Sequence, residues 1–227
     1  MIETIIVYKL SRLSREEIKP CNWFFASRYM TTKELLASPE RLLDILDRQG
    51  SWTEEEYLSL TDHTTRLVEF TDGFLELLPM PTDYHQAITQ FLLYALDGFL
   101  KPLGGKVRIA PLRLRICKGK FREPDLLVLL SASDGRRQNR FWTGADLVVE
   151  VVSPDKPERD LVSKRQDYAA AGVAECWIVN PSNETILVLV LNKKRYRRLG
   201  SFARGTVARS SLLQGFQIGV DQVFDAD

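Results

Sequence analysis

The chain has 227 residues, 44% of them apolar and 27% charged, which describes a globular protein with a core to bury and excludes a collagen-like or wholly disordered chain. Its longest apolar stretches, such as 186–191, fall far short of the roughly 20 residues of a spanning helix, and the start has an acid at Glu3 and no basic-then-apolar leader, so neither membrane insertion nor secretion is expected. The 31 basic and 30 acidic residues nearly cancel but are segregated, with nine basic and sixteen acidic residues in 1–100 against twenty and eleven in 101–200.

Residues 1–29 show no clear period and read as a loose extension. Thr31, Thr32 and Glu34 form a weak capping box, Ser38 before Pro39 a second cap-like start, and Leu42, Leu43, Ile45 and Leu46 recur at helical spacing up to Gly50. A domain division follows, with a partly helical N-terminal extension over 1–52 and the main domain over 53–227. Thr53 with Glu56 caps a short helix through Leu60. Two strands over 67–70 and 74–78 flank Asp72-Gly73, a hairpin signal. Ala87, Ile88, Phe91, Leu92, Ala95, Leu96 and Phe99 then predict a helix over 83–100.

Residues 107–116 alternate basic with apolar, Arg108, Arg113 and Arg115 among them, and predict one half-exposed strand. Strands over 122–130 and 147–152 enclose a polar turn, and a helix over 158–171 ends at Gly172. Strands at 175–179 and 185–191, the latter leading into 193–199, complete the order. This is an α/β chain with a mixed sheet and helices packed on it, not a regular doubly wound alternation. Three scattered cysteines without a C-x-x-C pair suit a reducing cytoplasm.

Two acids stand where acids are expensive. Asp125 heads the run Leu126-Leu127-Val128-Leu129-Leu130, and Glu150 lies inside Leu147-Val148-Val149-Glu150-Val151-Val152. Apolar strands of this kind are buried on both faces, where a lone carboxylate is strongly disfavoured unless a metal ion or a cationic partner neutralises it. If the two strands are neighbours, both carboxylates can face one side and hold a hard divalent cation such as Mg²⁺; a structural salt bridge or a strand-end acid reaching solvent is the plainer alternative. On the next helix Asp160, Lys164 and Tyr168 recur every four residues and share a face, which reads either as a cation lent to the carboxylates or as a surface Asp160–Lys164 pair over a packed tyrosine. The basic run Lys193-Lys194-Arg195-Tyr196-Arg197-Arg198 would set Lys194, Tyr196 and Arg198 on one strand face, to track phosphates or to guard a solvated edge. The basic central half likewise either attracts a polyanion or pairs with acids across the fold. Trp142 and Trp177 read as core.

Taken in order, Arg122-Glu123-Pro124-Asp125, then Asp146 through Pro154, then Arg159-Asp160-Leu161 with Lys164 and Tyr168, then Gly172 through Pro181 resemble the Uma-two family of endonucleases in the PD-(D/E)XK phosphodiesterase superfamily. Leu67 through Gly73 and the helix carrying His85 match its layout. The resemblance implies a restriction-endonuclease-like fold and a Mg²⁺- or Mn²⁺-dependent endodeoxyribonuclease. It implies Asp125 and Glu150 as metal carboxylates, with the Val151 carbonyl facing the ion, Glu76 completing the shell through water and Glu123 in reserve. Val152 stands where the superfamily usually has a lysine, and Lys164 looks like its migrated substitute. His85 would contact phosphate or move a proton, unless it merely packs at the sheet edge. Arg113, Arg115, Lys194 and Arg198 are the candidate nucleic-acid contacts, and DNA the expected partner. A homodimer would suit two cuts, though no sequence feature marks its surface. The rival expectation is a module that keeps the fold and binds nucleic acid or another partner without turnover; a hydrolase of RNA or a small phosphodiester is a third.

Overall fold

The computed structural model describes residues 47–153 and 158–227. The helix expected before Gly50, the loose 1–29 stretch and most of the 1–52 extension lie outside the described residues. Gln49 and Gly50, at its end, bond to the first hairpin: the Gln49 amide pairs with the backbone of Leu75 at 3.0 and 2.8 Å, and the Gly50 N–H donates to the Gly73 carbonyl at 2.8 Å.

Helix α1 (Glu54–Thr61) starts on a closed capping box between Thr53 and Glu56. Strands β1 (Val68–Thr71) and β2 (Phe74–Leu77) pair antiparallel around Asp72 and Gly73, whose φ values of 47° and 88° are those of the two-residue turn that matches strand twist. Helix α2 (Asp83–Leu100) is capped by the Thr82 hydroxyl and buries Ile88, Leu92, Leu96 and Leu100, one stripe at helical spacing. There follow β3 (Lys106–Ile109), β4 (Leu114–Cys117), β5 (Lys120–Arg122), β6 (Leu126–Leu129), β7 (Leu147–Val151), helix α3 (Glu158–Ala170), β8 (Glu175–Asn180), β9 (Thr185–Asn192), β10 (Arg195–Ala203), β11 (Val207–Arg209), β12 (Gln217–Gly219) and α4 (Val220–Phe224).

The strands form a four-stranded sheet in the order β2-β1-β5-β4 and a six-stranded sheet in the order β10-β9-β8-β7-β6-β3, with β11 and β12 as a small ribbon. In the six-stranded sheet the β7–β8 pair is parallel and the others antiparallel. Parallel neighbours need a crossover, and α3 provides it. One face of this sheet packs on α2 and the C-terminal segment through Leu126, Val149, Trp177 and Phe216; the other packs on α3 through Leu127, Val148, Trp142 and Tyr168. Tyr57, Val68, Phe70 and Phe121 form a separate core under the four-stranded sheet. Among the described residues no helix is long and apolar enough to cross a membrane.

Three expected elements are corrected. The single strand expected over 107–116 is two strands in different sheets. The Ala110 N–H still bonds the Asp125 carbonyl at 3.0 Å, but Pro111 has no N–H to continue the ladder and the chain crosses over. The strand expected over 122–130 is likewise split between β5 and β6 at Pro124. The run from 185 to 199 is an antiparallel hairpin, turned at Lys193 with φ 58°, so Lys194 belongs to the turn rather than to a strand face with Tyr196 and Arg198.

Candidate active site

The two crossings place β6 and β7 side by side and bring the end of β5 against them. The β6–β7 register runs Val128↔Leu147, Leu127↔Val148, Leu126↔Val149. One rung further sets Asp125 opposite Glu150, on the sheet face that looks toward α3. The Asp125 carboxylate accepts the Val151 N–H at 2.7 Å. His85, in the first turn of α2, donates from Nε2 to the Val151 carbonyl at 3.0 Å and lies 3.5 Å from the other Asp125 oxygen.

Glu150 is buried, and its neighbours come from α3. The Lys164 ammonium lies 3.1 and 3.0 Å from its two oxygens, and the Tyr168 hydroxyl donates to one of them. Spacing of four residues on one helix makes both contacts possible. The same ammonium lies 3.0 Å from Glu69 of β1, so it joins the four-stranded sheet to the six-stranded one. Burial alone would pull the Lys164 pKa down, but Glu150, Glu69 and Asp125 outweigh it and raise it. Lys164 is therefore a buried, paired cation. The Asp160 side chain, and with it the surface pair that helical spacing also allowed, lies outside the described residues.

The acids crowd further. Glu69 accepts the Glu123 N–H at 3.2 Å and faces Arg122 at 3.3 Å, while Arg122 is also clamped by Asp167 at 2.9 and 2.7 Å. Glu123 is buried, accepts the Val68 N–H at 3.1 Å, and has its carboxyl pushed up to about 8, by burial first and then by the Glu69 charge. For His85, burial pulls the pKa down, but the Asp125 carboxylate and the Val151 carbonyl outweigh it and raise it. Asp125, Glu123, Glu150, His85 and Lys164 line one end of a cleft of about 430 Å³, whose other walls include Met80, Leu93, Tyr94 and Ile109. Among the described residues no three His, Cys, Asp or Glu side chains converge tightly enough to enclose a metal ion as they stand.

A family model described as "Uma2: Putative restriction endonuclease" matches residues 54–221. The chain belongs to the Uma2 family. No curated protein matches it. Among solved structures this Uma2 chain is similar to "a putative nuclease belonging to DUF820" from Anabaena variabilis ATCC 29413, with a TM-score of 0.65 and 19% identity over 76% of this chain and 97% of that one. At that identity the likeness shows a shared nuclease-like fold.

The remaining candidates of the Uma2 chain stand apart from the cleft. Glu76 is exposed on edge strand β2, opposite Glu69, and is not among the residues lining the cleft. Arg113 is buried: it donates to the Thr61 hydroxyl at 2.5 Å, Asp62 at 2.7 Å and the Arg140 carbonyl at 3.0 Å. Arg115 pairs with Glu54 at 2.9 Å. Both guanidinium groups bind α1 to the four-stranded sheet. Lys194 and Arg198 are exposed at the far end of the six-stranded sheet. Glu69 escaped the sequence reading as a site residue, although it carries the same signal as Glu150, an acid inside the apolar run Leu67-Val68-Glu69-Phe70.

Proposed function

We propose that this Uma2 chain is a Mg²⁺- or Mn²⁺-dependent endonuclease that hydrolyses DNA phosphodiesters in the Asp125–Glu150 cleft. The observation that carries the reading is the meeting of two carboxylates from adjacent strands with a buried ammonium held at 3.0 and 3.1 Å from one of them. The donor set fits a hard cation: Asp125, Glu150 and the Val151 carbonyl offer oxygens, and the fully coordinated remainder would be water. Charge points the same way, since the Glu69, Asp125, Glu150 and Asp167 carboxylates face Lys164, Arg122 and His85. Asp125, Glu150 and the Val151 carbonyl would hold the ion, and when bound it polarises a phosphate oxygen and lowers the pKa of coordinated water.

The protein's own groups do the rest. Lys164, fixed by Glu150 and Glu69 in the wall of the cleft, would orient the attacking water or meet charge developing on the phosphate. Tyr168 holds the Glu150 carboxylate by its hydroxyl. His85 keeps Asp125 and the Val151 carbonyl turned toward each other and lies where a phosphate oxygen can take its N–H or a proton can be passed. Nicking of plasmid DNA in Mg²⁺ or Mn²⁺, lost in Glu150→Ala and in Lys164→Ala, is the test. Undiminished nicking by both variants removes the mechanism.

One observation favours a second reading, a nucleic-acid-binding module without turnover: Lys164 and His85 already neutralise the acids by direct contact. Calorimetric titration with Mg²⁺ or Mn²⁺ separates the two. The nuclease binds the ion and loses it in Asp125→Asn, whereas the module takes up none.

A further inference from the structure

Several basic residues of the central half are paired: Arg113, Arg115, Arg122, Arg136 and Arg140 each face an acid. Among the described residues Arg108 and Arg137 do not. Arg108 on β3 and Arg137 in the loop before β7 line one recess of about 370 Å³ with Leu112, Gln138, Asn139 and Trp142. Arg108 donates to the carbonyl of Val107 at 2.8 Å, and Arg137 to that of Ala132 at 3.0 Å. Each guanidinium has five N–H donors, so most of both forks remain available. Among the described residues no carboxylate forms an ion pair with either. Two exposed arginines lining one recess, flanked by the amide side chains of Gln138 and Asn139, suit a phosphate held between them.

The place of the recess adds the second argument. Strand β3 runs antiparallel to β6, with Arg108 opposite Leu127, and the Ala110 N–H bonds the Asp125 carbonyl at 3.0 Å. Alternation along the strand puts Arg108 on the same sheet face as Asp125, two residues or about 7 Å further along. The segment between the two strands is a shared wall. Ile109, Ala110 and Pro111 line the Asp125–Glu150 cleft, and Arg108 and Leu112 line the recess. A DNA strand advances about 3.4 Å per nucleotide, so a strand with one phosphate in the cleft reaches the recess within a few nucleotides.

We propose that the Arg108–Arg137 recess holds a backbone phosphate of the DNA strand whose scissile bond lies in the neighbouring cleft. The proposal rests on the nuclease reading, and it makes Arg108 and Arg137 substrate-positioning residues. The test is binding of a short fluorescent DNA duplex, followed by anisotropy in Ca²⁺ across a salt series. It compares the full chain, an Arg108→Ala/Arg137→Ala double variant, and an Arg195→Ala/Arg197→Ala control with the same charge loss on β10, the opposite edge of the sheet. The double variant is expected to bind at least about tenfold more weakly and to lower the slope of log affinity against log salt by about one. In the nicking assay its KM rises while kcat is kept. The control changes little. Equal affinity and slope in the double variant, or an equal loss in the control, overturns the recess and leaves the nuclease reading standing. Weaker binding by the double variant of a chain that never nicks DNA keeps the phosphate site and removes hydrolysis. A full chain that binds no DNA overturns the proposal.

Discussion

Replacing Lys164 by Met keeps the apolar stem and removes the ammonium that touches Glu150 at 3.0 and 3.1 Å and Glu69 at 3.0 Å. Oxygens that share one nitrogen at these distances lie at most about 6 Å apart. At an effective dielectric of about 20 the two buried charges then repel by about 3 kcal/mol. Breaking a buried pair by removing one partner costs about 3–5 kcal/mol by the same reasoning. Tyr168 and Arg122 remain on the two acids, which argues for the lower half of that range. With a urea slope of about 2 kcal/mol/M, Lys164→Met should lower the unfolding midpoint by about 1.5–2 M in a chelator-containing buffer. Adding Glu150→Gln to it should recover about 2 kcal/mol, the coupling expected of groups in contact. A Lys164→Met midpoint within about 0.5 M of the parent, or strictly additive losses in the double variant, would refute the reasoning.

Glu175 is fully buried, with no cation paired to it among the described residues, and is held by the Trp177 indole N–H at 2.7 Å, the Ser210 hydroxyl at 2.6 Å and the Ser211 and Leu212 amides at 2.8 and 2.9 Å. Glu175→Ala should cost about 3 kcal/mol and speed amide exchange at Ser211 and Leu212, read by mass spectrometry. At Gly73 a Cβ would lie 2.6 Å from the Gly50 backbone and φ is +88°, so Gly73→Ala should destabilise by more than about 2 kcal/mol and lower Tm in a calorimetric scan. Arg113→Ala should cost about 2–4 kcal/mol in urea, yet leave the salt slope of DNA binding unchanged, because its donors are spent on Thr61, Asp62 and Arg140.

Periodicity made α2 legible to the residue, since its buried positions form one stripe and Thr82 caps it. The first hairpin was equally open to reading, because Asp72-Gly73 supplies the two left-handed positions the turn needs. The breaks at Pro111 and Pro124 were not read, although both prolines are in plain view. Apolar alternation continues across them, and only the partner strands reveal that the chain has changed sheets. The same blindness hid the role of Arg113: alternating basic residues look like a wet strand face until α1 is seen to cover them. Within the site, Asp125, Glu150 and Lys164 could be picked out because acids in apolar runs demand a partner. That Glu69 shares the ammonium depends on β1 pairing with β5, a contact between segments about fifty residues apart, which no local pattern encodes.

Chain order gives the Lys164 contact a temporal meaning. Synthesis delivers Glu69, Glu123, Asp125 and Glu150 before Lys164. A nascent chain that stops short of α3 has both sheets' acids in hand and lacks the ammonium that bridges them, and closing the sheets at that stage would strand unpaired carboxylates. Docking of α3 is therefore expected to be a late event in maturation, with the cleft assembled in the same step that locks the two sheets together.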